Sequence, residues 1–248
     1  MRIEEFFKKY PHVALAFSGG VDSSYLLYLG KSLGVDIMPY YVKSQSQPEF
    51  EFEDAKKLAS LLSVEMKVLE FDVLSDSAVA ENPSNRCYYC KQRIMGAIKR
   101  AAEEDGYSVI IDGTNASDDA DDRPGMVALK ENGILSPLRL CGITKKEVRE
   151  RSRDAGLFTW DKPAYACLAT RIPAGTMLTA GLLENTERAE NFLSSLGFKD
   201  FRVRFLDGRA KLEIKDRDLG LLWENKDKIY DRLSKIYPKG VLLDLKGR

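Results

Sequence analysis

The chain has 248 residues, with 38 Lys+Arg against 38 Asp+Glu, one His, four Cys and 44% hydrophobic residues. Such a length supports one large or two modest domains that bury about 70% of the unfolded chain's surface, so neither disulfide nor metal staples are needed for folding. A net charge of zero excludes a global field that would draw the protein onto nucleic acid or anionic lipid. The opening MRIEEFFKKYPHVALAFSGG lacks the apolar core of a signal peptide, and no run of about 18 apolar residues occurs, so the sequence reads as cytoplasmic. No nucleic-acid or membrane partner is expected. In a reducing compartment the cysteines are ligands, nucleophiles or core residues rather than disulfides.

Along the first half, short apolar runs alternate with amphipathic segments, the pattern of a parallel sheet covered by helices. Residues 13–17 read as a buried strand, followed by a Gly-rich turn and a helix over 22–33. A second strand is expected at 36–42, a helix at 50–62, a strand at 64–71, a helix at 88–104 and a strand at 108–112. Thr144 and Glu147 have the spacing of a capping box, opening a helix that ends at Gly156.

Prolines and glycines gather among small residues over 162–181, which marks a junction. The expected division is a nucleotide-binding α/β domain at 1–165, a junction at 166–180 carrying Cys167, and a small α+β domain at 181–248. In the last of these, helices are expected at 179–196 and 219–236, with a final strand at 241–245. Residues 201–206 and 210–214 alternate apolar with charged positions around Asp207-Gly208, a hairpin signal. Residues 199–248 hold 14 basic and 9 acidic side chains, so the neutral total conceals a basic end and an acidic beginning.

Ser18-Gly19-Gly20-Val21-Asp22-Ser23-Ser24 lies directly after the first strand and before a helix. Glycines let backbone N–H groups turn toward an anion, hydroxyls add donors, and the helix N-terminus favours negative charge. The loop has no Walker lysine. It resembles the SGGxDS signature of the PP-loop ATP pyrophosphatases, which cleave ATP to AMP and pyrophosphate. Asp112-Gly113-Thr114-Asn115 follows another strand and is similar to the turn lining the nucleotide site in that superfamily; an ordinary strand-end turn is the alternative. Asp118, Asp119, Asp121 and Asp122 read as a solvated helix start in preference to a magnesium site, and Arg123 as a candidate phosphate contact.

Cys87 and Cys90 stand three residues apart in Arg86-Cys-Tyr-Tyr-Cys-Lys91 at a helix start, where the dipole and the flanking cations favour thiolates. Cys167 sits in the junction. Three thiolates with no evident fourth ligand suit a [4Fe-4S] cluster with one open iron, while a redox pair, a zinc site and plain packing remain open. Cys141 reads as a small buried hydrophobe.

The loop, Asn82-Pro83-x-x-Arg86-Cys87-Tyr88-Tyr89-Cys90-Lys91, Asp112-Gly-Thr-Asn, Arg123-Pro124-Gly125, Trp160-Asp161-Lys162-Pro163-x-x-Ala166-Cys167-Leu168-Ala169-x-Arg171-Ile172-Pro173 and Phe201-Arg202-Val203-Arg204 occur in that order. Together they resemble the LarE family of ATP-dependent sulfur transferases over nearly the whole chain. That resemblance implies a PP-loop fold of the adenine nucleotide alpha hydrolase type, with helices on both faces of a parallel sheet. It implies Mg-ATP bound on Ser18, Gly19, Gly20, Asp22, Ser23 and Ser24, with Gly113, Thr114 and Arg123 adjoining, and adenylation of the carboxylates of pyridinium-3,5-biscarboxylic acid mononucleotide. Asp22 and Ser23 would serve the adenylation step.

Sulfur then replaces AMP. In one branch of the family the cysteine at the position of Cys167 gives up its own sulfur; in the other, three cysteines hold a [4Fe-4S] cluster that carries hydrosulfide. With Cys87, Cys90 and Cys167 all present, the cluster branch is expected, fed by sulfide or a sulfur donor. Arg202 and Arg204, on one face of their strand, match the family's site for the substrate phosphate, with Glu190 and Glu213 matching acidic positions nearby. A homo-oligomer is also implied. Two rival readings are a PP-loop tRNA thiolase with a cluster, which the neutral charge disfavours, and a nucleotide-binding module with a structural metal.

Overall fold

The computed structural model describes residues 1–118 and 124–248; Asp119, Asp121, Asp122 and Arg123 lie outside the described residues. In chain order the elements are α1 (Ile3–Lys9), β1 (His12–Ala16), α2 (Val21–Ser32), β2 (Asp36–Lys43), α3 (Glu49–Leu61), β3 (Lys67–Glu70), α4 (Ser77–Ala80), α5 (Arg86–Glu104) and β4 (Ile110–Ile111). There follow α6 (Pro124–Glu131), α7 (Pro137–Leu140), α8 (Lys145–Asp154), α9 (Ala180–Ser195), β5 (Arg202–Leu206), β6 (Arg209–Glu213), α10 (Leu219–Glu224), α11 (Lys226–Leu233) and β7 (Val241–Leu243). No described helix is long and apolar enough to cross a membrane. The chain forms two compact units, Met1–Val73 with Asn85–Ala164, and Leu74–Ser84 with Tyr165–Arg248.

In the first unit the strands run in the order β3-β2-β1-β4, every pairing parallel. The apolar run of β1 is continuous because both of its faces are covered. Val13 and Leu15 pack with Phe6, Leu26, Leu58 and Val148 on one side. Ala14 points the other way, into a cluster with Tyr40, Ile98, Ala102 and Leu129. This is the expected parallel α/β sheet with helices on both faces. Helix α1 lies outside the expected elements, although Ile3, Phe6 and Phe7 recur at helical spacing and are buried, with Glu4 and Glu5 in its first turn and Lys8 and Lys9 in its last. The Thr144–Glu147 capping box is formed: Thr144 N–H donates to Glu147 Oε2 at 2.8 Å, and Glu147 N–H to Thr144 Oγ1 at 3.3 Å.

The second unit carries the basic end of the chain. Strands β5 and β6 pair antiparallel, and Asp207 and Gly208, with φ +49° and +80°, supply the two left-handed residues that a tight hairpin matching the strand twist requires. Strand β7 joins β6 in parallel. Helices α9, α10 and α11 cover this sheet with Leu193, Leu222, Ile229 and Leu233 around Val203 and Leu212. The single helix expected over 219–236 is in fact two, because Asn225 adopts φ −110°, ψ 9°, closing α10 and opening α11.

Residues Leu74–Ser84 belong with the second unit, and Asn82 fastens them there. Fully buried at φ +55°, it directs its Nδ2 to the carbonyls of Pro173 (2.8 Å), Thr176 (3.0 Å) and Ile172 (3.4 Å). Its own carbonyl accepts from Gly175 N–H at 2.8 Å, and that of Ala80 from Leu178 N–H at 2.7 Å. Asn82→Gly keeps the backbone conformation and loses the amide, so urea denaturation should show a loss of about 2–3 kcal/mol. Asn82→Ala also forces a side chain with no local compensation into the left-handed region and should lose about 1 kcal/mol more. Equal stability of the two variants and the parent would show that Asn82 does not fasten this segment.

Candidate active site

Strand β1 delivers the chain to Ser18, and Gly19 turns it at φ +69°, where a Cβ would lie 3.0 Å from the Glu51 carbonyl oxygen and 3.1 Å from Ala55 Cβ on α3. Only glycine permits that approach. Gly20 is the N-cap of α2 and brings no side chain to occupy the first amides of the helix. Ser18 Oγ and Ser23 Oγ lie 3.1 Å apart, Ser23 Oγ donates to the Gly20 carbonyl at 3.3 Å, and Ser18 N–H donates to Ser23 Oγ at 3.3 Å. The two hydroxyls are thereby fixed on the loop. Ser24 differs: it is fully buried, and its Oγ has no hydrogen-bond partner among the described residues.

The turn after β4 abuts this loop. A Cβ on Gly113 would stand 2.9 Å from Ser23 N and 3.1 Å from Asp22 Cβ. Asp112 braces the turn, accepting Thr114 N–H at 3.2 Å, Thr114 Oγ1 at 2.5 Å and Ser136 Oγ at 2.6 Å. Asn115 is also buried and reaches from the turn to the loop, its Nδ2 donating to Asp22 Oδ1 at 3.3 Å. Asp118 caps the Asn115 N–H at 2.9 Å. The structure thus brings together Ser18, Gly19, Gly20, Asp22, Ser23, Gly113 and Thr114.

Two lysines outside the expected site residues also meet the loop. Lys145, the first residue of α8, makes a short ion pair with Asp22 Oδ2. Burial raises the Asp22 carboxyl above its ordinary range; Lys145 and Asn115 pull it back, while the neighbouring Asp118 adds to the rise. Lys162 donates to the Gly19 carbonyl at 3.4 Å and pairs with Asp54 at 2.7 Å. Nothing along the chain distinguishes Lys145 from Lys146 beside it. Lys162 stood out only inside the Trp-Asp-Lys-Pro motif.

Cys87 and Cys90 lie in the first turns of α5, Cys87 exposed and Cys90 partly covered, with Arg86 Nη2 3.8 Å from Cys87 Sγ. Cys141 closes α7 and packs against the first unit's core, where burial pushes its thiol up. None of the four cysteines is in a disulfide. Among the described residues no group of three or more His, Cys, Asp or Glu side chains is gathered so as to hold a metal ion.

Cys167, in the second unit, directly precedes a short helical turn at Leu168–Arg171. Its carbonyl accepts Thr170 N–H at 3.0 Å and Thr170 Oγ1 at 2.8 Å, while Arg171 Nη1 holds the Ala166 carbonyl at 2.9 Å. Arg171 is 1% exposed and pairs with Glu190 at 2.8 and 3.2 Å. Glu190 also takes the Tyr165 hydroxyl in a short bond and the Val203 N–H at 3.0 Å. Its carboxylate therefore faces inward, in the core of the unit.

Arg202 is buried, its guanidinium 5.1 Å from the Tyr165 ring centroid. Burial, and then the cations of Arg171 and Arg248, push it down to about 10. Arg204 reaches Glu213 at 2.6 Å and the Thr170 carbonyl at 2.7 Å. Burial opposes ionisation of Glu213, but hydrogen bonds from Arg204 and Lys211 hold it below its usual value.

Comparison with known proteins places these features in a family. No family model matches the chain. It is 36% identical over 213 residues to an uncharacterized protein of Synechocystis, covering 86% of this chain and 80% of that one. It is 32% identical over 242 residues to the pyridinium-3,5-bisthiocarboxylic acid mononucleotide synthase of Lactiplantibacillus plantarum, covering 97% of this chain and 88% of the synthase. A tRNA-specific 2-thiouridylase of Clostridium botulinum is 28% identical, but over only 60% of this chain and 52% of its own. With a phosphate loop on a parallel sheet and a match to the synthase along almost its whole length, the chain belongs to the LarE family of ATP-dependent sulfur transferases.

Proposed function

We propose that this protein converts the carboxylates of pyridinium-3,5-biscarboxylic acid mononucleotide into thiocarboxylates, by adenylation followed by sulfur transfer. The observation that carries this reading is the 97% coverage by the synthase match, which includes both the loop and the Cys167 segment. A carboxylate is a poor electrophile. In the first step one of its oxygens attacks the α-phosphorus of ATP, the bond from that phosphorus to the bridging oxygen breaks, and pyrophosphate leaves. In the second step sulfur attacks the acyl carbon and AMP leaves with the original carboxylate oxygen.

The uncapped N-terminus of α2 and the hydroxyls of Ser18 and Ser23 are suited to receive the phosphates. Magnesium is usually held by one or two carboxylates together with substrate phosphates, and Asp22 is the loop carboxylate that would hold it. Arg202, kept cationic at neutral pH and crowded by other cations, suits an anionic substrate group. Glu190 and Arg171 fit a supporting role, holding the backbone beside Cys167.

For the sulfur, the reading is that Cys87, Cys90 and Cys167 hold a [4Fe-4S] cluster, which when bound supplies hydrosulfide at an open iron. Its support is the presence of three cysteines where a sacrificial reaction needs one. Among the described residues no three such ligands are gathered.

Ser23→Ala should reduce pyrophosphate release about 100-fold. Ser24→Ala removes a hydroxyl that has no partner among the described residues and should leave release within about twofold; the reverse ranking would overturn the loop assignment. Gly113→Ala drives a methyl against the backbone of Ser23, and should lose about 1–3 kcal/mol of stability together with most of the pyrophosphate release. Anaerobic purification followed by iron and sulfide analysis should give about four irons per chain, lost on Cys87→Ala, Cys90→Ala or Cys167→Ala. Loss of one sulfur from Cys167 per thiocarboxylate in iron-free protein would overturn the cluster and leave the adenylation reading intact.

A further inference from the structure

Cys167 lies outside any regular element, directly before the short helical turn Leu168–Arg171. So short a turn supports itself poorly, and side-chain bonds must set where the thiol stands. Thr170 Oγ1 donates to the Cys167 carbonyl at 2.8 Å and accepts Arg171 Nη1 at 2.8 Å. The same Nη1 donates to the Ala166 carbonyl at 2.9 Å. The backbone on both sides of the thiol therefore hangs from the Arg171 guanidinium.

Tyr165, at the head of this segment, meets that guanidinium from another side. Its ring centroid lies 4.5 Å from the guanidinium carbon of Arg171 and 5.1 Å from that of Arg202 on β5. Its hydroxyl donates to Glu190 Oε2 in a short bond. Glu190 in turn holds Arg171 through Nε at 2.8 Å and Nη2 at 3.2 Å, and the Val203 N–H of β5 at 3.0 Å. Two guanidinium groups this close repel each other, whereas each is attracted to the face of an aromatic ring. The ring thus offsets the repulsion by which Arg171 disfavours the cation of Arg202. Tyrosine has few side-chain torsions, and with its hydroxyl anchored the ring cannot turn away without breaking the bond to Glu190.

We propose that Tyr165 is a positioning residue for sulfur transfer: its ring joins the arginine that holds the Cys167 backbone to the arginine suited to the anionic substrate group, and so sets the reach from sulfur to acyl carbon. The inference rests on the proposed function, in which Cys167 serves sulfur delivery and Arg202 the substrate. Tyr165 acts through the two arginines and takes part in no bond making.

The test is steady-state and single-turnover kinetics on the full chain, with a thermal melt of each variant. Tyr165→Leu should raise KM for the pyridinium mononucleotide about 10-fold while leaving KM for ATP within about twofold. At saturating substrate its first-turnover pyrophosphate release should stay within about threefold of the parent, whereas thiocarboxylate formation falls about 10- to 100-fold. Tyr165→Phe keeps the ring and should bring both KM and thiocarboxylate formation back to within about threefold of the parent. Ile229→Val trims the core of the same unit and should lower Tm with both KM values within about twofold. If the leucine variant does not fold, Tyr165→Met, which also lacks an aromatic face, takes its place. Unchanged kinetics in the leucine variant, losses in the phenylalanine variant equal to those in leucine, or the same KM change in Ile229→Val would each overturn the proposal. A parent protein that forms no thiocarboxylate from this substrate would take down the proposed function as well.

Discussion

The carboxylate of Asp22 stands at the mouth of a helix that attracts anions, and the geometry of the first unit's site is organised around holding it. A carboxylate removed from water must find charge or donors, or take up a proton. Burial pushes Asp22 toward the proton, and Lys145 and Asn115 push back. Each partner brings a distant piece of chain to the loop. Asn115 comes on the turn after β4 and Lys145 on the first residue of α8, so one charge draws together segments more than ninety residues apart in sequence. Gly113 is the steric complement, because the turn can close on Ser23 and Asp22 only where no Cβ intervenes.

The second unit solves a similar problem to a different end. Arg171 and Glu190 are almost wholly removed from solvent, and each makes further hydrogen bonds besides the pair itself. Burying such a pair gains little over packed apolar groups, whereas removing one member costs about 3–5 kcal/mol because the other charge is stranded. What the pair supplies is definition. Arg171 fixes the carbonyl before Cys167, and Glu190 ties that arginine to the backbone of β5. Asp22 and Lys145 keep partial access to water, whereas Arg171 and Glu190 are closed in and cannot separate without exposing the core.

Local features were readable where residue spacing alone determines them. The β1 strand, the glycine turn, the Thr144–Glu147 box and the Asp207-Gly208 hairpin each depend on neighbours within a few residues, and each is present. What escaped depends on distant partners. Asn82 lies about ninety residues from the carbonyls it binds, so nothing in its own segment assigns Leu74–Ser84 to the second unit. Glu190 sits on the same stripe as Leu183 and Leu193, and its inward direction becomes evident only with Arg171 in place. The break at Asn225 left no proline or glycine to mark it. Lys145 and Lys146 are identical in sequence terms, and only the tertiary position of Asp22 separates them.

The charge asymmetry acquires a physical meaning on this basis. A neutral chain that divides into an acidic beginning and a basic end cannot attract polyanions by its long-range field, which salt would in any case screen beyond about 10 Å. It can still favour a small anion wherever cations have been assembled at the expense of their own hydration. Arg202 is such a case, lowered to about 10 by burial and by two other guanidinium groups. A guanidinium so placed carries an unfavourable desolvation energy that nearby anionic groups offset, Glu190 among them. On the proposed reading, preference for a compact, multiply charged nucleotide over a nucleic-acid backbone would come from burial of the cations rather than from their number.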